Sequence, residues 1–149
     1  MKSVFKTFLV VVICLVSLSN SVQAQTAFEV PVGGIAITGY DFDNTKFAFV
    51  CLTEIPAGTI ILFTDNGWFS YTEKFRTGEG VNYWNTPDGC YLGQVVLVGY
   101  SELPTYGTNS DMDLSSSGDQ IFVYQEKSDG TPHFIFGLNS DGNEWLPYG

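Results

Sequence analysis

The stretch at residues 56–68, PAGTIILFTDNGW, restricts the fold of this chain more than any other. Its centre, residues 59–64, is a short uncharged run of β-branched and aromatic residues, which predicts a strand covered on both faces of a β-sandwich. Turn-forming residues bound the run on both sides, with Gly58 before it and Asp65, Asn66 and Gly67 after it. A tryptophan directly after such a turn usually folds back over the core, so we expect Trp68 to act as a lid, with a ligand-binding role as the alternative.

Six further segments have the composition of strands, and no window has a sustained 3.6-residue period with helix caps. These segments are residues 34–40, 46–52, 81–85, 94–100, 120–125 and 133–138. The segment at 46–52 is apolar on both faces, which predicts a central strand. About seven strands separated by turns predict an all-β, immunoglobulin-like sandwich rather than a βαβ fold.

The first 24 residues resemble a secretory leader. Lys2 and Lys6 precede an apolar run at residues 8–18, and a small residue, Ala24, stands at the predicted cut. This run is too short and wrongly flanked for a membrane span. We therefore predict a signal peptide at residues 1–24, a single domain at 25–149, export from the cytoplasm, and no membrane insertion after cleavage.

The charge balance restricts the partners. Loss of Lys2 and Lys6 would change the formal net charge from −10 to −12. Such a chain repels nucleic acid and anionic membranes, but it attracts divalent cations. Three oxygen-rich loops, at residues 41–44, 111–113 and 139–144, could offer calcium ligands, although none matches an EF-hand loop. We expect no cofactor and no metal site, with calcium as the open alternative.

Two cysteines, Cys51 and Cys90, remain after the leader. In an oxidising compartment an even pair predicts a disulfide, which would stabilise the fold by about 3–4 kcal/mol. Two buried free thiols are the alternative, since the sequence does not give their separation.

No residue pattern predicts catalysis. The single histidine, His133, opens an apolar strand, and no serine or cysteine stands in a nucleophile-elbow context. Most carboxylates lie in turns, where aspartate bonds the backbone. Arg76, the single arginine, is expected to pair with Glu79 or Asp65, with a carboxylate ligand as the alternative.

Aromatic residues cluster around the irregular middle of the chain. They are Tyr83, Trp84, Tyr91, Tyr100 and Tyr106. We expect core and lid packing, and sugar stacking by Tyr83, Trp84, Tyr91 and Tyr106 is the alternative. An outward-facing patch of these four rings would favour the sugar-binding alternative.

The order of five segments carries a family resemblance: FAFVCL, PAGTIILFTDNGW, FRTGEG, a Gly-rich turn before a valine strand, and LSSSGDQIFVYQ. It resembles bacterial secreted modules that are themselves similar to the lamin-tail type of immunoglobulin-like sandwich. The matching positions, whose role in the family is structural, are Asp65, Asn66, Gly67, Trp68, Ser117, Gly118 and Asp119. The resemblance also implies a module within a larger exported or surface protein, whereas the cysteine pair departs from its pattern.

Three functions follow as expectations. The first is a non-enzymatic module for adhesion, anchoring or spacing, with other modules or surface components as partners. The second is a carbohydrate-binding module, and the third is an accessory domain of an exported hydrolase with its catalytic part beyond Gly149. The aromatic-rich end at residues 144–149 predicts that the natural protein continues.

Overall fold

A computed structural model describes residues 27–86, 88–99 and 112–140. Apart from one 3₁₀ turn (Phe42–Asn44), the regular structure of these residues is β-strand. The strands are β1 (Ile35–Asp41), β2 (Lys46–Cys51), β3 (Ile60–Thr64), β4 (Trp68–Phe69), β5 (Lys74–Phe75), β6 (Val81–Asn85), β7 (Val95–Val98), β8 (Gln120–Glu126) and β9 (Pro132–Asn139). No helix in this part of the chain is long and apolar enough to cross a membrane.

Two antiparallel sheets form the sandwich. The first sheet has the order β1-β2-β7, and the second has the order β6-β3-β8-β9. Aromatic rings join them across the interior, where Phe63 lies 5.0 Å from Phe47 and 5.2 Å from Phe49 between ring centroids. The all-β sandwich expected from the sequence is confirmed.

The seven predicted strands all form, with ends shifted by at most two residues. β2 is central in its sheet, as predicted, and β3 lies between β6 and β8 in the other sheet. The prediction of burial on both faces holds less well for β3, because the Ile60 side chain is 52% exposed. The strand predicted at residues 94–100 ends at Val98, and Tyr100 lies outside the described residues.

A two-stranded hairpin of β4 and β5 forms in the region where no strand is predicted. It packs on the outer face of the second sheet, where Trp68 meets Phe134 and Phe75 meets Tyr124, both at 4.9 Å between centroids. Trp68 thus folds back over the sheet that it has left, but onto the face opposite the core. The expectation of a lid over the core is wrong in this respect.

The disulfide between Cys51 and Cys90 is formed, so the alternative of two free thiols is wrong. It joins the end of β2 in the first sheet to the connection between β6 and β7. Cys90 also exchanges two 2.8 Å main-chain hydrogen bonds with Ile55. Closing a loop of 39 residues corresponds to about 4 kcal/mol in the chain-entropy model.

A strap at residues 28–30 precedes β1 and is hydrogen-bonded to side chains of β8 and β9 in the second sheet. The Gln125 side chain accepts a hydrogen bond from Val30 N at 2.7 Å and donates one to Phe28 O at 2.9 Å. His133 Nε2 donates to Val30 O at 2.8 Å, and Val30 itself is fully buried. The strap is therefore part of the folded body, although no pattern in residues 28–30 predicts this.

Candidate functional site

The side chains of Thr64, the last residue of β3, and of Asp65 and Asn66, which follow it, form a buried polar corner. Asp65 Oδ1 accepts a hydrogen bond from Gly80 N at 3.0 Å, and Asp65 Oδ2 accepts one from Asp113 N at 2.9 Å. Thr64 Oγ1 donates to Gly80 O at 2.6 Å. The polar corner thus holds two distant segments against the end of β3.

Asn66 completes the polar corner. Its Nδ2 donates to Thr64 Oγ1 at 2.8 Å and to Gly80 O at 3.1 Å, while its Oδ1 accepts from Glu79 N at 3.2 Å. Because buried backbone groups without partners are costly, these bonds fix the path of the chain into β6.

Burial raises the pKa of Asp65 from 3.8 to about 6, and the carboxylates of Asp119 and Glu79 add to the effect, while hydrogen bonds from backbone amides, chiefly that of Asp113, partly oppose it. A carboxyl group with such a pKa could serve as a general acid or base at neutral pH. Here, however, both oxygens already accept backbone amides and the residue is 1% exposed. The geometry therefore fits a structural role for Asp65, which is the role that the resemblance implies.

A second, smaller set of hydrogen bonds holds the turn before β8, at residues 115–119. Asp119 Oδ2 accepts from Ser115 N at 2.8 Å, and its Oδ1 accepts from Gln120 N at 2.7 Å. Ser140 binds the main chain of Asp119 from the end of β9. Ser117 N donates to Ser115 Oγ at 3.2 Å, and Gly118 N donates to Ser115 O at 3.2 Å. All of these bonds stay within the turn or between β8 and β9.

Arg76 does not form the expected ion pair. In the part of the chain that the structure describes, neither Glu79 nor Asp65 makes a salt bridge with its guanidinium. Asp65 does not pair with Arg76 because both of its carboxylate oxygens accept hydrogen bonds from the backbone amides of Gly80 and Asp113. The backbone of Arg76 instead closes the β4–β5 hairpin by donating to Gly67 O at 2.7 Å.

The four candidate sugar-binding rings do not form one outward patch. Trp84 is 4% exposed and packs edge-on against Phe49 in the core at 5.0 Å, whereas Tyr83 faces outward and is 41% exposed. Tyr91 is 69% exposed in the loop after Cys90. Tyr106 lies outside the described residues. The alternative in which Trp84 belongs to a ligand-binding surface is therefore wrong. Consecutive residues of a strand point to opposite faces, so Trp84 points inward when Tyr83 points outward.

An apolar surface that the sequence analysis missed lies on the outer face of β3 and β6. We call it the open face; its side chains are those of Ile60, Leu62, Val81 and Tyr83. Tyr83 pairs across the strands with Leu62, and Val81 pairs with Thr64. The β4–β5 hairpin packs on the neighbouring strands β8 and β9 of the same sheet. The sequence signal that could have shown this is the strand period of two in VNYWN, which places Tyr83 and Trp84 on opposite faces of the sheet.

Metal ligands are not grouped in the described part of the chain, where no three histidine, cysteine, aspartate or glutamate side chains could hold an ion together. Of the three calcium candidates, residues 41–44 form the 3₁₀ turn, in which Asn44 Nδ2 donates to Asp41 Oδ2 at 2.8 Å. The other two, at 111–113 and 139–144, lie partly outside the described residues.

No protein-family model matches the chain, and no curated protein matches it significantly.

Proposed function

We propose that this chain is a non-enzymatic, secreted or cell-surface module that serves adhesion, anchoring or spacing within a larger exported protein. The observation that carries the proposal is the polar corner, whose Asp65 and Asn66 side chains bond the backbone of the module itself. The most distinctive polar residues of the sequence then act as fasteners of a scaffold. We also propose that the module is of the lamin-tail type, on the motif residues 65–68 and 117–119.

The disulfide supports the exported location. A bond between Cys51 and Cys90 persists in oxidising compartments and is rare in the cytosol. The leader-like residues 1–24 and the strongly acidic remainder agree with a soluble exported protein.

The test of this proposal is to locate and sequence the natural product. N-terminal sequencing should find Gln25 as the first residue, and protease added to intact cells should reach the protein. A chain that keeps Met1 and is protected inside the cell would contradict the proposal.

Carbohydrate binding is the second candidate, and the open face favours it. Tyr83 lies there beside Ile60 and Leu62 with its ring partly exposed, and aromatic rings on an apolar surface suit sugar stacking. A glycan array would test it with Tyr83→Ala, and Tyr71→Ala is the matched control, since Tyr71 is exposed on the β4–β5 hairpin. Loss of a bound glycan in the Tyr83 variant alone would replace the scaffold proposal. The accessory role in a hydrolase would require a catalytic part elsewhere in the protein.

A further inference from the structure

Four apolar side chains are exposed around the disulfide, and we call them the disulfide patch. They are those of Leu52, Tyr91, Leu92 and Val95, which are between 49% and 69% exposed. Val95 pairs with Val50 on the outer face of the first sheet, and Leu52 points to the same face because it lies two residues after Val50. A contiguous apolar area on the surface of a module is typical of a binding site.

The turn that carries Tyr91 and Leu92 is fixed by hydrogen bonds. Gln94 N donates to Tyr91 O at 2.9 Å, and the Gln94 side chain accepts a bond from Tyr91 N at 3.0 Å. Gly93 N donates to Cys51 O at 2.7 Å, which holds the turn against the end of β2. The disulfide of Cys51 holds the residue directly before Tyr91. Because the turn is already ordered, a partner that binds it loses little conformational entropy.

Glu54 lies across from Tyr91. Ile55 and Cys90 form an antiparallel bridge with two backbone hydrogen bonds of 2.8 Å. In this pairing the residue before Ile55 lies opposite the residue after Cys90, so Glu54 and Tyr91 are neighbours. The side chains of Ile55 and Cys90 are buried, whereas those of Glu54 and Tyr91 are exposed. An aromatic ring and a carboxylate are thus presented to solvent side by side.

The segments that form the disulfide patch contain acidic residues but no basic ones. Residues 47–73 and 77–126 have no lysine, arginine or histidine. Glu54 and Asp88 are exposed, and in the part of the chain that the structure describes neither carboxylate forms a salt bridge. The formal charge of −12 on the exported chain adds to the negative potential. The charge therefore favours a partner that brings positive groups to an apolar contact.

We propose that the disulfide patch binds a basic segment of a protein partner. In this interaction a lysine or arginine of the partner lies over the ring of Tyr91 beside Glu54, and an aliphatic side chain packs on Leu52 and Leu92. The face of an aromatic ring attracts cations, and the carboxylate adds a charge-assisted hydrogen bond. The inference names the partner class for the proposed adhesion function and rests on that function.

The first test is a selection with a random peptide library displayed on phage as the probe. The full chain, produced in an exporting host, is immobilised through a C-terminal tag. The enriched peptides should combine lysine or arginine with aliphatic residues. A selection that enriches no peptide, or peptides without an excess of basic residues, would overturn the proposal.

The second test locates the site by calorimetric titration with the most enriched peptide. Tyr91→Ala should weaken binding by at least about 30-fold, as is usual for an aromatic anchor at the centre of an interface. Glu54→Gln should weaken it about fivefold and reduce its dependence on salt. Both side chains are exposed, so the two variants should unfold at the same urea concentration as the wild type.

The matched controls are Tyr71→Ala and Glu73→Gln. They change an exposed tyrosine and an exposed glutamate that lie together on the turn of the β4–β5 hairpin, without the disulfide patch beside them. Each control should change the affinity by less than about twofold, since rim residues contribute little.

The proposal is contradicted if Tyr91→Ala binds the peptide as tightly as the wild type, or if the controls weaken binding as much. A glycan array on which Tyr91→Ala loses a sugar, with no basic peptide bound, would replace it by carbohydrate binding. N-terminal sequencing tests export separately, so an exported module that selects no basic peptide overturns this inference alone.

Discussion

The polar corner and the open face lie on the same strand, β3, and reverse the usual distribution of polar and apolar groups. The polar corner buries a threonine, an aspartate and an asparagine almost completely at the end of the strand. The open face exposes Ile60 to solvent at its start, next to Leu62 and the outward ring of Tyr83. Polarity alone thus does not separate the structural residues of this module from its candidate binding residues.

The difference shows which side chains hold the module together. Each polar group of the corner has partners in the backbone of distant segments, so its burial is compensated. The open-face side chains have exposed apolar area that no described residue covers, and such area is typical of binding surfaces when it is contiguous. Substitutions should therefore be costly for stability in the corner and costly only for binding on the open face.

The largest difference is expected between the two neighbouring aromatic residues of β6. Trp84→Ala removes a core ring that packs on Phe49 and should lower the free energy of unfolding by about 3–5 kcal/mol. Tyr83→Ala should lower it by less than about 1 kcal/mol, because that ring is 41% exposed. Urea unfolding measures both values, and equal losses would break the contrast between the two faces of β6.

A smaller loss is expected from Asn66→Ala in the polar corner. The variant leaves Glu79 N without its acceptor and should cost about 1–3 kcal/mol in urea unfolding. Asn44→Ala is the matched control, since Asn44 is exposed and bonds only to Asp41, and its loss should stay below about 0.5 kcal/mol. If Asn66→Ala leaves the free energy of unfolding unchanged, the polar corner does not stabilise the fold.

The smallest effect is expected from Arg76→Gln. Because Arg76 has no ion pair with Glu79 or Asp65, the unfolding free energy should change by less than about 0.5 kcal/mol at low and at high salt. A loss above about 1 kcal/mol that disappears in high salt would show that the expected pair forms in solution.

The strands and the disulfide could be predicted because their signals are local or compositional. Runs such as FAFVC in β2 and IILFT in β3 alternate with turn residues, and the two cysteines outside the predicted leader allow one pairing. The resemblance also pointed to Asp65 and Asp119, both of which turn out to bond backbone amides.

The rest depended on tertiary contacts that no local pattern encodes. The β4–β5 hairpin has two residues in each strand, and it forms on the rings of Phe122, Tyr124 and Phe134 rather than through its own propensity. Of the two partners expected for Arg76, Asp65 is instead bonded by backbone amides of distant segments. Likewise, which aromatic of β6 points inward depends on the register of β6 against β3.

The most direct test of the polar corner is the pH dependence of stability in the wild type compared with Asp65→Asn. The pKa of Asp65 is about 6 in the folded protein against 3.8 for the free group, so the folded state binds the proton more tightly than the unfolded chain does. The stabilising contribution of protonated Asp65 is then complete below about pH 4 and is lost as the pH rises to about 6.

Urea unfolding of both proteins at several pH values between 4 and 7 measures this contribution, because the other titrating groups cancel in the difference. The wild-type unfolding free energy minus that of Asp65→Asn should fall by about 1–3 kcal/mol across this window. A difference that stays constant or rises with pH would contradict the account of Asp65 as a carboxyl group whose burial outweighs the hydrogen bonds that it accepts from backbone amides.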